Sequence, residues 1–203
     1  DIRKDALYCD GPDSLTRRSA QTVLDILFHR LTTWLAPVLV FTMEEVWLER
    51  FPGEESSIHL QDMPETPAEW RDDALAEKWS KIREVRRQVT GSLEQMRQAK
   101  EIGSSLEAAP VVYLGTEAHL WNSAEEALAD LNSVDFAEIC ITSGIEIREG
   151  LPDSAAKNGE TVGLFVEKKR AGGQKCQRCW KILPDVGMHQ HPGVCARCNA
   201  ALG

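Results

Sequence analysis

The chain has 203 residues, of which 42% are hydrophobic and 27% charged, with a net charge of −9. That length allows one large domain or two to three small ones, and the composition excludes disorder of the whole chain. The acidic average argues against nucleic-acid binding, although the distribution of charge says more than its sum. The start, Asp1-Ile2-Arg3-Lys4, has no apolar run behind it, and without an initiator Met the chain is expected to be a piece of something longer. The most apolar stretch, LTTWLAPVLVFTMEEVWL, is interrupted by Pro37, Glu44 and Glu45 and is too broken to span a membrane. A soluble, cytoplasmic protein with no membrane partner is expected.

The first half reads as helical. In GPDSLTRRSAQTVLDILFHRLTTWLAP, Asp13 or Ser14 can cap a helix. Its apolar positions, Ala20, Val23, Leu24, Leu27, Phe28, Leu31, Trp34 and Leu35, share one face until Pro37 ends or kinks it. VFTMEEVWLERF restarts a helix, with Thr42 as the expected cap and Glu45 at the capping-box position. The Pro-, Ser- and acid-rich PGEESSIHLQDMPETPAEW reads as a surface loop. A long helix follows, about 72–100, with Leu75, Trp79, Ile82, Val85, Val89, Leu93 and Met96 at helical spacing. Stripes on two long helices imply that they pack together as a helical bundle.

After Gly103 the period changes. APVVYLG, AEICITSGIEIRE and ETVGLFVEKK have strand patterns, TEAHLWNSAEEALADL has helical spacing, and GLPDSAAKNGE has loop composition. A small α+β module over 106–170 is expected. The remaining residues, 171–203, are too few and too Gly-rich for an apolar core and need a staple.

That staple is in the cysteines. Cys176, Cys179, Cys195 and Cys198 form C-x2-C-x15-C-x2-C, whereas Cys9 and Cys140 stand alone and read as packed thiols. Each C-x2-C turn aims two thiolates at one point, and two such turns complete a tetrahedron around Zn²⁺. Four thiolates leave no open position, so such a metal is structural. A rubredoxin-like iron site would use the same four thiolates. Neither pair has the βαβ context of a redox dithiol, and a cytosolic disulfide is disfavoured. His189 and His191, between the pairs, read as turn residues. His29, His59 and His119 have no partner pattern.

Charge is unevenly divided. Basic residues gather at 78–100, including Arg83, Arg86 and Arg87, and again at Lys168, Lys169, Arg170, Lys175, Arg178, Lys181 and Arg197, with an acidic zone between. Arg178 and Arg197 occupy the x2 positions of the two knuckles, and Trp180 follows the second ligand. An exposed aromatic ringed by bases suits an unstacked nucleotide base. The competing reading is that Trp180 covers the metal and the bases offset thiolate charge.

RKDALYCD, RRSAQTVLDILFHRLTTWLAPVLVFTMEEVW, KEIGSSLEA and KCQRCWKILPDVGMHQHPGVCARCNAAL lie in order along nearly the whole chain. Together they resemble the C-terminal region of bacterial-type isoleucyl-tRNA synthetases, which are class I aminoacyl-tRNA synthetases. The helical stretch alone is also similar to the valine and leucine enzymes. The resemblance implies a mainly α fold: a helical anticodon-binding bundle (1–105), a small α+β connector module (106–170) and a terminal four-cysteine zinc ribbon (171–203). It implies one structural Zn²⁺, a parent enzyme that joins isoleucine to tRNA, and the tRNA anticodon stem-loop as partner, with no DNA. A monomeric parent is expected. No stretch resembles the HIGH or KMSKS signatures, so ATP and Mg²⁺ belong to a catalytic core absent here, and no catalytic residue is assigned. From charge and position, the expected RNA contacts are Arg178, Trp180, Arg197, Lys175, Arg83, Arg86, Arg87, Arg17 and Arg18. For Arg17 and Arg18 a solvated first turn competes. The alternative function is a zinc-ribbon module that docks a protein.

Overall fold

In the computed structural model, residues 1–115, 120–150, 152 and 163–203 are described here. The loop expected over 150–160 and the beginning of TEAHLWNSAEEALADL, with His119, fall largely or wholly outside them. The chain forms two compact units: 12–72 is one, and 1–11 joins 73–203 in the other.

The smaller unit is built on α2 (Leu15–Leu35) and α3 (Val40–Arg50). Ser14 caps α2, its hydroxyl accepting from the Arg17 N–H at 3.3 Å. Thr42 is no cap: α3 begins two residues earlier, at Val40, with Leu39 before it and no side-chain cap. Trp47, buried, packs against Phe51 at 4.6 Å and stacks on Phe28 at 6.1 Å between ring centroids. The Glu44 carboxylate accepts from Ser57 Oγ and the Ile58 N–H, both at 2.9 Å, and Trp47 Nε1 donates to Ser56 Oγ at 3.1 Å. These bonds draw the loop onto α3 and bury Ile58 at its short 3-10 turn. Further on, Arg30 stands 4.5 Å over the Trp70 ring and donates to the Glu65 carbonyl at 2.9 Å. Much of the α2 stripe stays half-exposed, Leu24, Leu31 and Trp34 among it.

The larger unit is organised by α4 (Asp73–Gln98). Ile82, Val85, Val89, Leu93 and Met96 repeat every three or four residues and are all buried. That face was expected to meet another long helix. Instead it is filled by a three-stranded sheet and two short helices of its own unit, α5 (Ala124–Asn132) and α6 (Phe136–Cys140). The sheet has order β2-β1-β3, from Val111–Leu114 (β1), Glu146–Glu149 (β2) and Leu164–Glu167 (β3). Central β1 runs parallel to β2 and antiparallel to β3, with all four of its side chains buried. The first part of AEICITSGIEIRE is helix α6, not strand: Asp135 caps it, its carboxylate accepting from the Glu138 N–H at 2.9 Å. Helix α4 closes with Lys100 in a left-handed conformation and the Glu101 N–H donating back to the Met96 carbonyl at 2.9 Å.

Among the described residues no helix is long and apolar enough to cross a membrane.

Candidate metal centre and its surroundings

The ribbon comprises strands β4 (Gln174–Lys175) and β5 (Ile182–Leu183), paired antiparallel, and helix α7 (Ala196–Leu202). The turn between β4 and β5 carries Cys176 and Cys179. Its shape is held by the Trp180 N–H on the Cys176 carbonyl at 3.0 Å and the Cys176 N–H on the Lys181 carbonyl at 2.9 Å. Trp180 takes a left-handed backbone, φ 66°. Gly173 sits where a Cβ would strike the Leu183 backbone, at φ 118°. Cys195 is the N-cap residue of α7 and Cys198 lies in its first turn. Asp185 fastens that end, one carboxylate oxygen accepting from the Ala196 N–H at 2.7 Å and from His189 Nε2 at 3.1 Å.

The four thiols are buried and their sulfurs all lie within 4.8 Å of one another. Cys179 and Cys195 sulfurs are 3.8 Å apart. A tetrahedron with Zn–S bonds of about 2.3 Å needs sulfurs about 3.8 Å apart, so the donor set fits zinc. With four thiolate donors zinc would have no open coordination position and would act as a cross-link. Burial raises the Cys176 thiol, but N–H groups from Cys179, Cys195 and Arg178 outweigh it and bring it down to about 6. Burial and the neighbouring thiols push Cys198 up to about 11. Among the described residues the cluster contains no histidine. His189 is engaged by Asp185, and the His191 N–H donates to Asn199 at 3.0 Å.

The basic residues around the cluster divide sharply. Arg178 and Arg197 do not stand free on the knuckles. Both reach α1 (Lys4–Cys9), a helix the sequence patterns left unassigned. Arg197 bonds both Asp5 carboxylate oxygens, at 2.7 and 2.8 Å, and Asp10 at 3.1 Å. Arg178 donates to the Cys9 carbonyl and, at 3.2 Å, to that of Tyr8. Lys181 lies 3.5 Å from Asp5. Burial pushes the Asp5 carboxyl up, but Arg197 and Lys181 outweigh it and hold it below the usual carboxylate range. Cys9, expected to be a packed thiol, is buried, and it sits in the same apolar cluster as the four ribbon cysteines, its thiol 3.6 Å from the Arg178 carbonyl.

Trp180 remains outside this arrangement. It is 61% exposed, so it does not cover the thiols, and the Lys175 ammonium stands 5.4 Å over its ring. Tyr8, 73% exposed, lines the same apolar groove of about 530 Å³ as Trp180, Ile141 and Leu106. Sequence reasoning passed over Tyr8 because α1 was unassigned. On α4, Arg87 pairs with Glu84 at 2.6 Å, Arg86 donates to the Ile139 carbonyl at 2.8 Å, and Arg83 is exposed. Arg17 and Arg18 lie in the first turn of α2, in the other unit.

Comparison with known proteins agrees with this arrangement. Residues 173–200 match the model of a zinc finger found in FPG and IleRS. Over its whole length the chain is 58% identical to isoleucine-tRNA ligase of Ruegeria pomeroyi, 54% to that of Brucella abortus and 53% to that of Agrobacterium fabrum. It spans about a fifth of the length of each. Residues 1–113, more than half of the chain, match the model of the anticodon-binding domain of tRNA ligase, and the chain belongs to that family.

Proposed function

We propose that this chain is the tRNA-binding C-terminal part of a cytoplasmic isoleucine-tRNA ligase, monomeric as a whole, that attaches isoleucine to its tRNA with ATP and Mg²⁺. Catalysis is assigned to the parent protein outside these residues, and none of the residues here is given a chemical step. The observation that carries the reading is the anticodon-binding family match over 1–113. One structural Zn²⁺, held by Cys176, Cys179, Cys195 and Cys198, shapes the ribbon.

The anticodon stem-loop is the proposed ligand. Trp180 offers its exposed face to an unstacked loop base, and Lys175 beside it offers charge to the adjoining phosphate. Tyr8 forms a further wall of the groove. Arg83, Arg17 and Arg18 supply phosphate contacts, joined by Arg86 and Arg87 through the guanidinium N–H groups that their bonds to the Ile139 carbonyl and Glu84 leave over. Arg178 and Arg197 contribute through α1, because their guanidinium groups are already engaged there.

The test is tRNA binding by the 203-residue, zinc-loaded chain. A tRNA with an isoleucine anticodon should bind more tightly than one with the anticodon replaced. Trp180→Ala should weaken binding by roughly ten-fold, within the range of one lost base stack. Equal, salt-sensitive binding to both RNAs, untouched by Trp180→Ala, would reduce the interaction to bulk electrostatics and defeat the proposal.

A further inference from the structure

Helix α1 has six residues and no side-chain cap at its start. A helix that short does not persist unaided. Its anchors come from the other end of the sequence. Each knuckle contributes the basic residue of its x2 positions, Arg178 from the first and Arg197 from the second. Lys181, next to Trp180, is the third anchor. Asp5 is where two of the three converge: it receives the Arg197 fork and lies beside Lys181, and it is itself largely buried. Arg178 grips the last turn through the Tyr8 and Cys9 carbonyls.

From this geometry we infer that Asp5 is a positioning residue for RNA binding: by tying Arg197 of the second metal knuckle and Lys181, just after the first, to α1, it fixes the placement of Trp180 and Lys175 without touching RNA itself. The RNA-binding consequence rests on the proposed function, whereas the clasp between α1 and the ribbon does not. Trp180 lies one residue from an anchor of the clasp, and its left-handed backbone is set by the turn that Lys181 closes. An RNA-facing side chain held this way loses less freedom on binding than one on a loose ribbon.

Electrostatics and positioning predict opposite signs. Asp5 is an anion near a surface proposed to meet a polyanion. Were it a bystander, Asp5→Asn would raise tRNA affinity, because one repulsive charge is gone. As a positioning residue, its loss should lower affinity.

The experiment compares the zinc-loaded 203-residue chain with Asp5→Asn, Asp5→Ala, Asp5→Glu and Arg197→Gln, by amide hydrogen exchange, metal content and tRNA affinity. Asp5→Asn should keep its zinc, accelerate exchange over residues 4–9 by at least roughly ten-fold, and weaken tRNA binding about five-fold. Arg197→Gln should reproduce the faster exchange from the opposite side, so a failure of one variant to fold leaves the other as the test of the clasp, while Asp5→Ala gives a second reading of the sign in tRNA affinity. Asp5→Glu should restore much of the loss. Unchanged exchange in 4–9 for a folded Asp5→Asn or Arg197→Gln would overturn the clasp. Unchanged or higher tRNA affinity in Asp5→Asn would overturn the positioning role. Failure of the unsubstituted chain to bind tRNA would count against the proposed function and, with it, the positioning role, while the exchange measurement still judges the clasp.

Discussion

The guanidinium of Arg197 bonds both carboxylate oxygens of Asp5 across 192 positions of sequence. Arginine achieves this because its planar fork matches a carboxylate, whereas lysine offers a single rotating ammonium. Arg197→Lys should therefore keep the charge yet lose the fork. The expected cost is about 1 kcal/mol, small because the pair is partly exposed. Urea denaturation of the zinc-loaded chain, followed by a probe on the ribbon, measures it.

Two ribbon glycines make contrasting predictions. At Gly173 a Cβ would strike the Leu183 backbone, which is fixed by pairing of β4 with β5, and φ is 118°. Gly173→Ala should open that pairing and destabilise the ribbon by roughly 2 to 3 kcal/mol. At Gly193 the obstacle is the end of the Gln177 side chain, which can rotate away. Gly193→Ala should cost less than half as much in the same denaturation experiment.

Lys100 closes α4 with φ 59°, a conformation that glycine adopts without steric cost. Lys100→Gly should raise stability by about 0.5 to 1 kcal/mol, provided relief of that strain exceeds the added freedom of the unfolded chain. A thermal melt of the substituted chain checks the sign. A lower Tm would mean that the left-handed closure is worth less than the unfolded-state term.

Asp130 supplies a pH dependence away from the metal. The Trp121 indole N–H donates to it at 2.7 Å, and Lys78 lies 3.2 Å away. Chiefly through Trp121, its carboxyl is held below the ordinary value. The folded value is thus lower than the unfolded one, about 3.9. Its stabilisation is fully present above that unfolded value and fades as pH falls through the lower folded one. Asp130→Asn should cost about 1 to 2 kcal/mol at pH 7, and the difference from the parent should close as pH falls through the lowered folded value. Denaturation midpoints across that range test the convergence.

Legibility in the sequence followed the range of the interactions involved. The long helix expected over 72–100 forms at Asp73–Gln98, because its stripe and its helix-forming residues act locally. The sulfur cluster was legible because two turns of fixed spacing leave little choice of geometry. Ser14 capped as expected, whereas Thr42 did not, since α3 had already begun at Val40. The partner of α4 was illegible: an apolar stripe declares that something covers it but not whether that is a helix or a sheet. The ribbon arginines were read from charge and position as an open surface. Their acceptors, Asp5 and Asp10 for Arg197 and the Tyr8 and Cys9 carbonyls for Arg178, lie 169 to 192 positions away, and no local pattern joins the two. Helix α1 went unassigned for the same reason, being stable only where those partners reach it.

That arrangement imposes an order on synthesis. Residues 4–9 leave the ribosome well before the ribbon groups that hold them, Arg197 by as much as 192 positions. At about 5–20 residues per second, 192 residues take on the order of ten to forty seconds. Throughout that interval Cys9 has no ribbon to cover it. The larger unit therefore cannot complete itself until the ribbon has emerged, and the smaller unit, continuous over 12–72, is free to fold first. A nascent-chain series stalled at successive lengths would find the first residues susceptible to protease until the last cysteine has emerged.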